Sequence, residues 1–89
     1  MNSDSKKPLT QKQKIAMQSL SMDLLRVALG RHRGQTQMAA TFATEARARL
    51  AELDTFELKD KIIASLDSSE ERSAEDLLMY STLVRNRAI

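Results

Sequence analysis

Three side chains that can carry positive charge, Arg31, His32 and Arg33, stand in a row between Gly30 and Gly34. A guanidinium group offers a planar fork of donors to a phosphate or carboxylate, and glycines let backbone amides approach such an anion. The segment is therefore a candidate contact for an anion or a partner. The alternative is structural: cations near a helix C-terminus stabilise the helix dipole, and the glycines form the turn.

The remaining side chains give little support to catalytic or metal chemistry. His32 is the only histidine and the chain has no cysteine, so no thiolate is present for zinc binding or nucleophilic attack. A catalytic imidazole needs an orienting acid or a nucleophile, and no spacing in the sequence demands one. We therefore predict no catalytic residue, no metal, no cofactor and no enzymatic activity.

The segment from Ile15 to Leu29 is the most apolar part of the chain, with ten apolar side chains in fifteen residues. At about 100° of rotation per residue, these side chains cover a wider arc than a surface helix needs. Such a helix is either the buried centre of the fold or half of a subunit interface.

The size and composition of the chain favour the interface. Its 89 residues include two Phe, one Tyr and no Trp, which leaves little apolar volume to enclose so wide an arc. Association of subunits is a common way for a small domain to bury more surface. We therefore expect a homo-oligomer, with a dimer as the leading form, whose candidate interface consists of Met17, Leu20, Met22, Leu24, Leu25 and Tyr80.

The pattern predicts an all-α fold, a small up-and-down bundle of about four helices built from a long hairpin and two shorter helices. Residues 1–9 are predicted to be a disordered tail, and residues 10–89 a single helical domain. A capping box of Thr10 with Gln13 starts the first helix, which runs to about residue 29 with Gly30 as its C′ residue.

The later helices also have start signals. The second follows Gly34 with Thr36 as its cap and ends near Leu53. A capping box of Asp54 with Glu57 predicts a third helix over 55–66. A Ser73 cap predicts the last helix over 74–87, with a start near Ser69 as the alternative. The expected core faces are Met38, Ala39, Phe42, Ala43, Ala46, Leu50 and Leu53, then Leu58, Ile62, Ile63 and Leu66, then Ala74, Leu77, Leu78, Ser81, Val84 and Ala88.

One charged pair lies within the apolar segment. Asp23 and Arg26 are three residues apart and can form an ion pair on the narrow polar strip of the first helix. We expect this pair to be exposed; enclosure of the helix by a partner would make it a buried contact.

The charge is unevenly distributed along the chain. Residues 1–34 carry a net charge of +5 and residues 35–89 a net charge of −3, which together give +2. Nucleic acid is therefore a possible partner, but the lysines of the N-terminal segment and the 31–33 turn lie about 27 Å apart on the predicted helix. No apolar run is long enough to span a membrane and no secretory signal is present, so we expect a cytoplasmic protein.

Two segments carry a family resemblance: Lys14 to Gly34, which reads KIAMQSLSMDLLRVALGRHRG, and Ala74 to Leu83, which reads AEDLLMYSTL. In these segments the chain resembles a group of small helical proteins from cyanobacteria that has no assigned function. The resemblance implies a bacterial cytoplasmic protein and transfers no role to any residue.

Together these patterns favour a non-enzymatic helical interaction module, an adaptor or regulator, that binds an unidentified protein partner and self-associates through its first helix. The alternative is a nucleic-acid-associated regulator that uses the basic N-terminal segment and the turn of Arg31, His32 and Arg33.

Overall fold

A computed structural model describes residues 10–53, 57–68 and 72–88. All regular structure in these residues is helical: α1 is Gln11–His32, α2 is Thr36–Ala51, α3 is Lys59–Asp67 and α4 is Arg72–Arg87. The predicted all-α class with four helices is confirmed. The predicted tail 1–9 and most of the Asp54 capping box lie outside the described residues.

The start of α1 follows the prediction. The backbone N–H of Gln13 donates to the Thr10 hydroxyl at 3.1 Å, and the Thr10 N–H donates to the Gln13 side-chain oxygen at 2.9 Å. These reciprocal bonds satisfy donors that have no partner within the first turn of a helix.

The central helix of the bundle is α1, which packs against α2 on one side and α4 on the other. Gly30 of α1 lies against Ala39 of α2, and the Arg26 guanidinium lies 5.0 Å from the centre of the Phe42 ring. Residue numbers therefore rise along α1 as they fall along α2, which makes the pair antiparallel.

The α1–α4 pair is antiparallel as well. The Ser21 hydroxyl donates to the Ser81 carbonyl at 2.8 Å, and Arg31 donates to the Ser73 hydroxyl at 2.8 Å. The short α3 packs on α4 and, at fewer points, on α2, so it lies diagonally opposite α1. This is the predicted up-and-down arrangement.

The core is built from Leu, Ile, Val, Ala and Met side chains of all four helices. Its most completely enclosed members are Leu20, Leu24, Val27, Leu50, Ile62, Leu77 and Val84. On α2 the buried positions Ala39, Ala43 and Ala46 are small, as expected for a helix that approaches α1 closely. Two residues of the expected core faces, Met38 and Leu78, are exposed, so the prediction that they are buried is wrong.

Several predicted helix boundaries are wrong. Gly30 does not end α1, which continues to His32, and α2 begins at Thr36 without a side-chain cap. Glu57 belongs to a turn, so α3 begins at Lys59 instead of residue 55. Ser73 lies inside α4, which already includes Arg72, and its hydroxyl accepts a hydrogen bond from Arg31 instead of capping the helix.

Within the described residues, no helix combines the length and the hydropathy needed to cross a membrane.

Candidate functional site

The turn between α1 and α2 is built around Gly34, the one described residue with a left-handed backbone conformation, at φ 75°. The Gln35 N–H donates to the Gly30 carbonyl at 2.7 Å, and the Gly34 N–H donates to the Arg31 carbonyl at 3.2 Å. These two bonds form a Schellman motif, in which a glycine at C′ takes the conformation that a Cβ atom would disfavour.

Gly30 is needed for a different reason. It is buried within α1, and a Cβ atom placed on it would lie 3.0 Å from the Ala39 Cβ and 3.3 Å from the Ala39 Cα. The absence of a side chain therefore allows α1 and α2 to approach closely just before their connecting turn.

The guanidinium group of Arg31 closes the C-terminal end of α3. Its Nη1 donates to the carbonyls of Ser65 at 2.9 Å and Ser68 at 3.0 Å, and its Nη2 donates to the Leu66 carbonyl at 2.5 Å. The last carbonyls of a helix have no partner within the helix and carry partial negative charge, so a cation is favoured there. Arg31 thereby links α1, α3 and, through Ser73, the start of α4.

The charges around Arg31 fit this structural role. Burial lowers the pKa of Arg31 from its ordinary value, the positive charge of Arg47 lowers it further, and the negative charge of Asp67 opposes the change. Arg47 itself donates to Asp67 at 2.6 Å. The two arginines and the one aspartate thus form a small charged cluster around the end of α3.

The prediction that Arg31, His32 and Arg33 form one anion or partner contact therefore needs correction. Arg31 already donates to three carbonyls and one hydroxyl, so its guanidinium is committed to the fold. His32 and Arg33 are exposed at the end of the helix and the start of the turn. Only these two side chains of the predicted set are presented to solvent.

A shallow cleft of about 290 Å³ lies beside this cluster, between the end of α3 and the start of α4. Its lining comprises Ala64, Ser65, Ser68, Arg72, Ser73 and Asp76. Among the described residues, no group of three or more His, Cys, Asp or Glu side chains is placed to hold a metal ion.

The predicted interface residues separate into two groups. Met17, Leu20 and Leu24 are 4%, 0% and 0% exposed, since α2 and α4 pack over them, so their assignment to a subunit interface is wrong. Tyr80 is half-buried against the chain's own core. Met22 and Leu25 are 51% and 37% exposed and remain available to a second molecule.

The outer face of α1 continues beyond these two residues. Ile15, Met22 and Leu29 follow one another at intervals of seven residues, with Gln18 and Leu25 at the intervening positions. Ile15 is exposed and Leu29 is half-buried. We call these five residues the outer seam of α1. Their spacing is that of the contact positions on one helix of a coiled coil.

One exposed residue of α4 lies beside the outer seam. Leu25 follows Ser21 by four residues and Leu78 precedes Ser81 by three, so both lie at the same level of the antiparallel α1–α4 pair. Leu78 is 45% exposed and extends the apolar surface from α1 onto α4.

Asp23 occupies a buried position between α1 and α2. The prediction that the Asp23–Arg26 ion pair is exposed is therefore wrong for Asp23. Its carboxylate lies 4.0 Å from the guanidinium of Arg26, which is half-exposed. Burial raises the pKa of Asp23 from its ordinary value, as does the negative charge of Glu45 on α2; Arg49 and Arg26 oppose this rise. Enclosure by the chain's own second helix, and not by a partner, buries this group.

Sequence reasoning did not find the Arg31 cap or the Ser21–Ser81 bond. Both join residues far apart in the sequence, and neither follows from a local motif. The available signal is indirect: no glycine follows α3, so the last carbonyls of that helix lack the usual local cap.

Comparison of the chain with protein-family models, curated proteins and solved structures matches none of them.

Proposed function

We propose that this chain is a helical protein–protein interaction module, an adaptor or regulator without a reaction of its own, that self-associates through the outer seam of α1. The observation that carries the proposal is the exposure of Ile15, Met22 and Leu25 on a helix whose opposite face already fills the core. Contiguous exposed apolar surface on a small domain is typical of an interaction site.

The spacing within the outer seam supports a helical partner. Apolar side chains at alternating intervals of three and four residues insert between those of a facing helix with the same spacing. Gln18 provides one polar position among the apolar ones, and such positions fix the register of paired helices at some cost in stability. A second copy of α1 has this complementary pattern by definition, which favours a symmetric dimer.

Leu78 of α4 adds to this surface beside Leu25. By contrast, Met79 and Leu83 are separated from Leu78 around α4, since helix geometry turns them about 100° and 140° away from it. These two exposed residues therefore serve as a matched control for the outer seam.

Sedimentation equilibrium at tens of micromolar tests the proposal with two double variants. The wild type is expected to be a dimer, M22Q/L25Q is expected to be a monomer, and M79Q/L83Q is expected to remain a dimer. Glutamine keeps helix propensity while removing apolar surface. Circular dichroism checks that each variant folds. A monomeric wild type, or equal effects of the two variants, would overturn the proposal.

A further inference from the structure

A row of cations lies beside the outer seam of α1. Lys12, Ser19, Arg26 and Arg33 follow one another at intervals of seven residues, and we call these four residues the basic row. Each of the first three precedes an apolar residue of the outer seam by three positions, which places it about 60° around α1 from that residue. Because Arg26 lies over the Phe42 ring of α2, the basic row runs along the α2 side of the outer seam.

The cations of the basic row are exposed, and little negative charge opposes them. The only acid of α1, Asp23, is buried, with its carboxylate 4.0 Å from the Arg26 guanidinium. Glu45 and Arg49 of α2 also act on Asp23, and they do so with opposite sign. The other two cations of the row take part in no ion pair with a described residue. The outer seam is therefore an apolar stripe with positive charge along one flank.

We propose that the outer seam binds an amphipathic helix of a partner protein that carries acidic residues beside its apolar stripe, and that this helix binds more tightly than a second copy of the chain. In paired helices, the residues beside the contact positions form ion pairs between the helices and thereby set the choice of partner. Acids at intervals of seven residues on the partner would meet the basic row. Here the outer seam acts as the helix-binding surface of the proposed function, on which this inference rests.

A second copy of α1 matches the apolar spacing of the outer seam but not its charge. In an antiparallel pair, the basic row of one copy faces the basic row of the other. In a parallel pair, it faces the opposite flank of α1, formed by Lys14, Ser21 and Ala28, which contains no acid. Like charges that face each other on helices are destabilising. An acidic helix would therefore displace the second copy.

An acidic helix also fits this surface better than an anionic membrane does. Gln18, in the middle of the outer seam, would have to enter the boundary between headgroups and acyl chains, whereas paired helices use one such polar position to fix their register. The described aromatic residues, Phe42 and Tyr80, are half-buried against the core and do not project as membrane anchors.

Fluorescence anisotropy with two labelled synthetic peptides tests the inference. Both peptides have about four heptads with leucine at the contact positions, and they differ only at the flanking positions, which are glutamate in one and lysine in the other. Repulsion between like charges keeps each peptide from pairing with itself. At low salt the wild type is expected to bind the glutamate peptide about tenfold more tightly than the lysine peptide, and added salt should reduce this preference.

The K12E/R33E variant is expected to reverse the preference, because it places acids in the basic row. The matched control K59E/K61E makes the same change in charge on α3, which lies diagonally opposite α1, and is expected to keep the wild-type preference. Circular dichroism confirms that each variant folds.

Equal affinity of the wild type for the two peptides, binding of neither, or an unchanged preference in K12E/R33E would overturn the inference. Glutamate-peptide binding that survives in M22Q/L25Q would also overturn it, since the outer seam would not be the site. Binding to vesicles of anionic phospholipid in place of the peptides would overturn it in favour of a membrane surface. Sedimentation separates the two proposals: a monomeric wild type that prefers the glutamate peptide would remove self-association and support the acidic partner.

Discussion

The two ends of the bundle both contain arginine, but they place it in opposite environments. At the end that contains the α1–α2 turn, here called the turn end, Arg31 donates to the carbonyls that end α3, and Arg47 pairs with Asp67. At the other end, where α1 starts and α4 ends, Arg85 is exposed together with Lys12. The comparison shows that a cation becomes structural when the end of another helix packs against it, as α3 does at Arg31.

Removal of the Arg31 cap is the strongest test of this comparison. R31M keeps a long apolar side chain but deletes every hydrogen bond of the guanidinium to α3 and α4. We expect a loss of about 3 kcal/mol in the free energy of unfolding, because hydrogen bonds to charged groups contribute about 1.5–3 kcal/mol each and are not additive. For a domain of this size, the midpoint of thermal unfolding should fall by roughly 12–24 °C.

The control for this variant is R33M, two residues further along the same turn. Arg33 is exposed, and surface substitutions of this kind usually change stability by no more than about 0.5 kcal/mol. Thermal unfolding followed by circular dichroism compares the two. Similar midpoints for R31M and R33M would contradict the capping role.

The backbone of the turn end gives a smaller effect. G34A places a Cβ atom on a residue with φ 75°, where the left-handed conformation costs an L-residue about 1–2 kcal/mol. The space around Gly34 is open, so the cost is conformational and not steric. Urea unfolding should show a loss of about 1 kcal/mol for G34A and less for G34N, since asparagine tolerates this conformation. If G34N were the less stable of the two, this explanation would be wrong.

Asp23 extends the comparison from the cations at the two ends to an acid that is buried in the middle of the bundle. Because its folded pKa is raised, the folded state takes up a proton at a higher pH than the unfolded state does. Its contribution to stability therefore increases as the pH falls through the raised pKa towards 3.8, and it destabilises the fold at neutral pH.

We therefore expect D23N to be modestly more stable than the wild type at pH 7, by less than the Gly34 effect. The advantage should shrink as the pH falls towards 4, as followed by urea unfolding at a series of pH values. The matched variant D60N changes an exposed acid, and its stability at pH 7 should differ little from that of the wild type. A D23N variant less stable at pH 7 would mean that the attraction of Arg26 and Arg49 outweighs burial.

Two features that depend on one or two helical turns were predictable from the sequence. The Thr10–Gln13 capping box and the buried face of α2 follow from residue spacing alone. The residue at which α1 ends was not predictable from the sequence, because Gly30 and Gly34 are both plausible helix terminators. The packing of Ala39 against Gly30 makes the first a contact point within the helix, while Gly34 takes the left-handed conformation.

The candidate site was less predictable, since it depends on which faces the other helices cover. The sequence showed that the apolar arc of α1 is wide, but it did not show which part of the arc the chain itself covers. Leu20 and Leu24 are enclosed by the chain, while Met22 and Leu25 are exposed. Helical periodicity gives the angle of each side chain around its own axis but not the positions of neighbouring helices.

The sequence by itself determined an all-helical chain with four helices and the start of the first. These features depend on local hydrogen bonding and on the periodicity of apolar residues, which neighbouring residues already define. Only the tertiary structure decided that Arg31 caps α3, that Asp23 is buried, and that Ser21 of α1 bonds to Ser81 of α4. Each of these depends on contacts between segments far apart in the chain, because the bundle register brings them together.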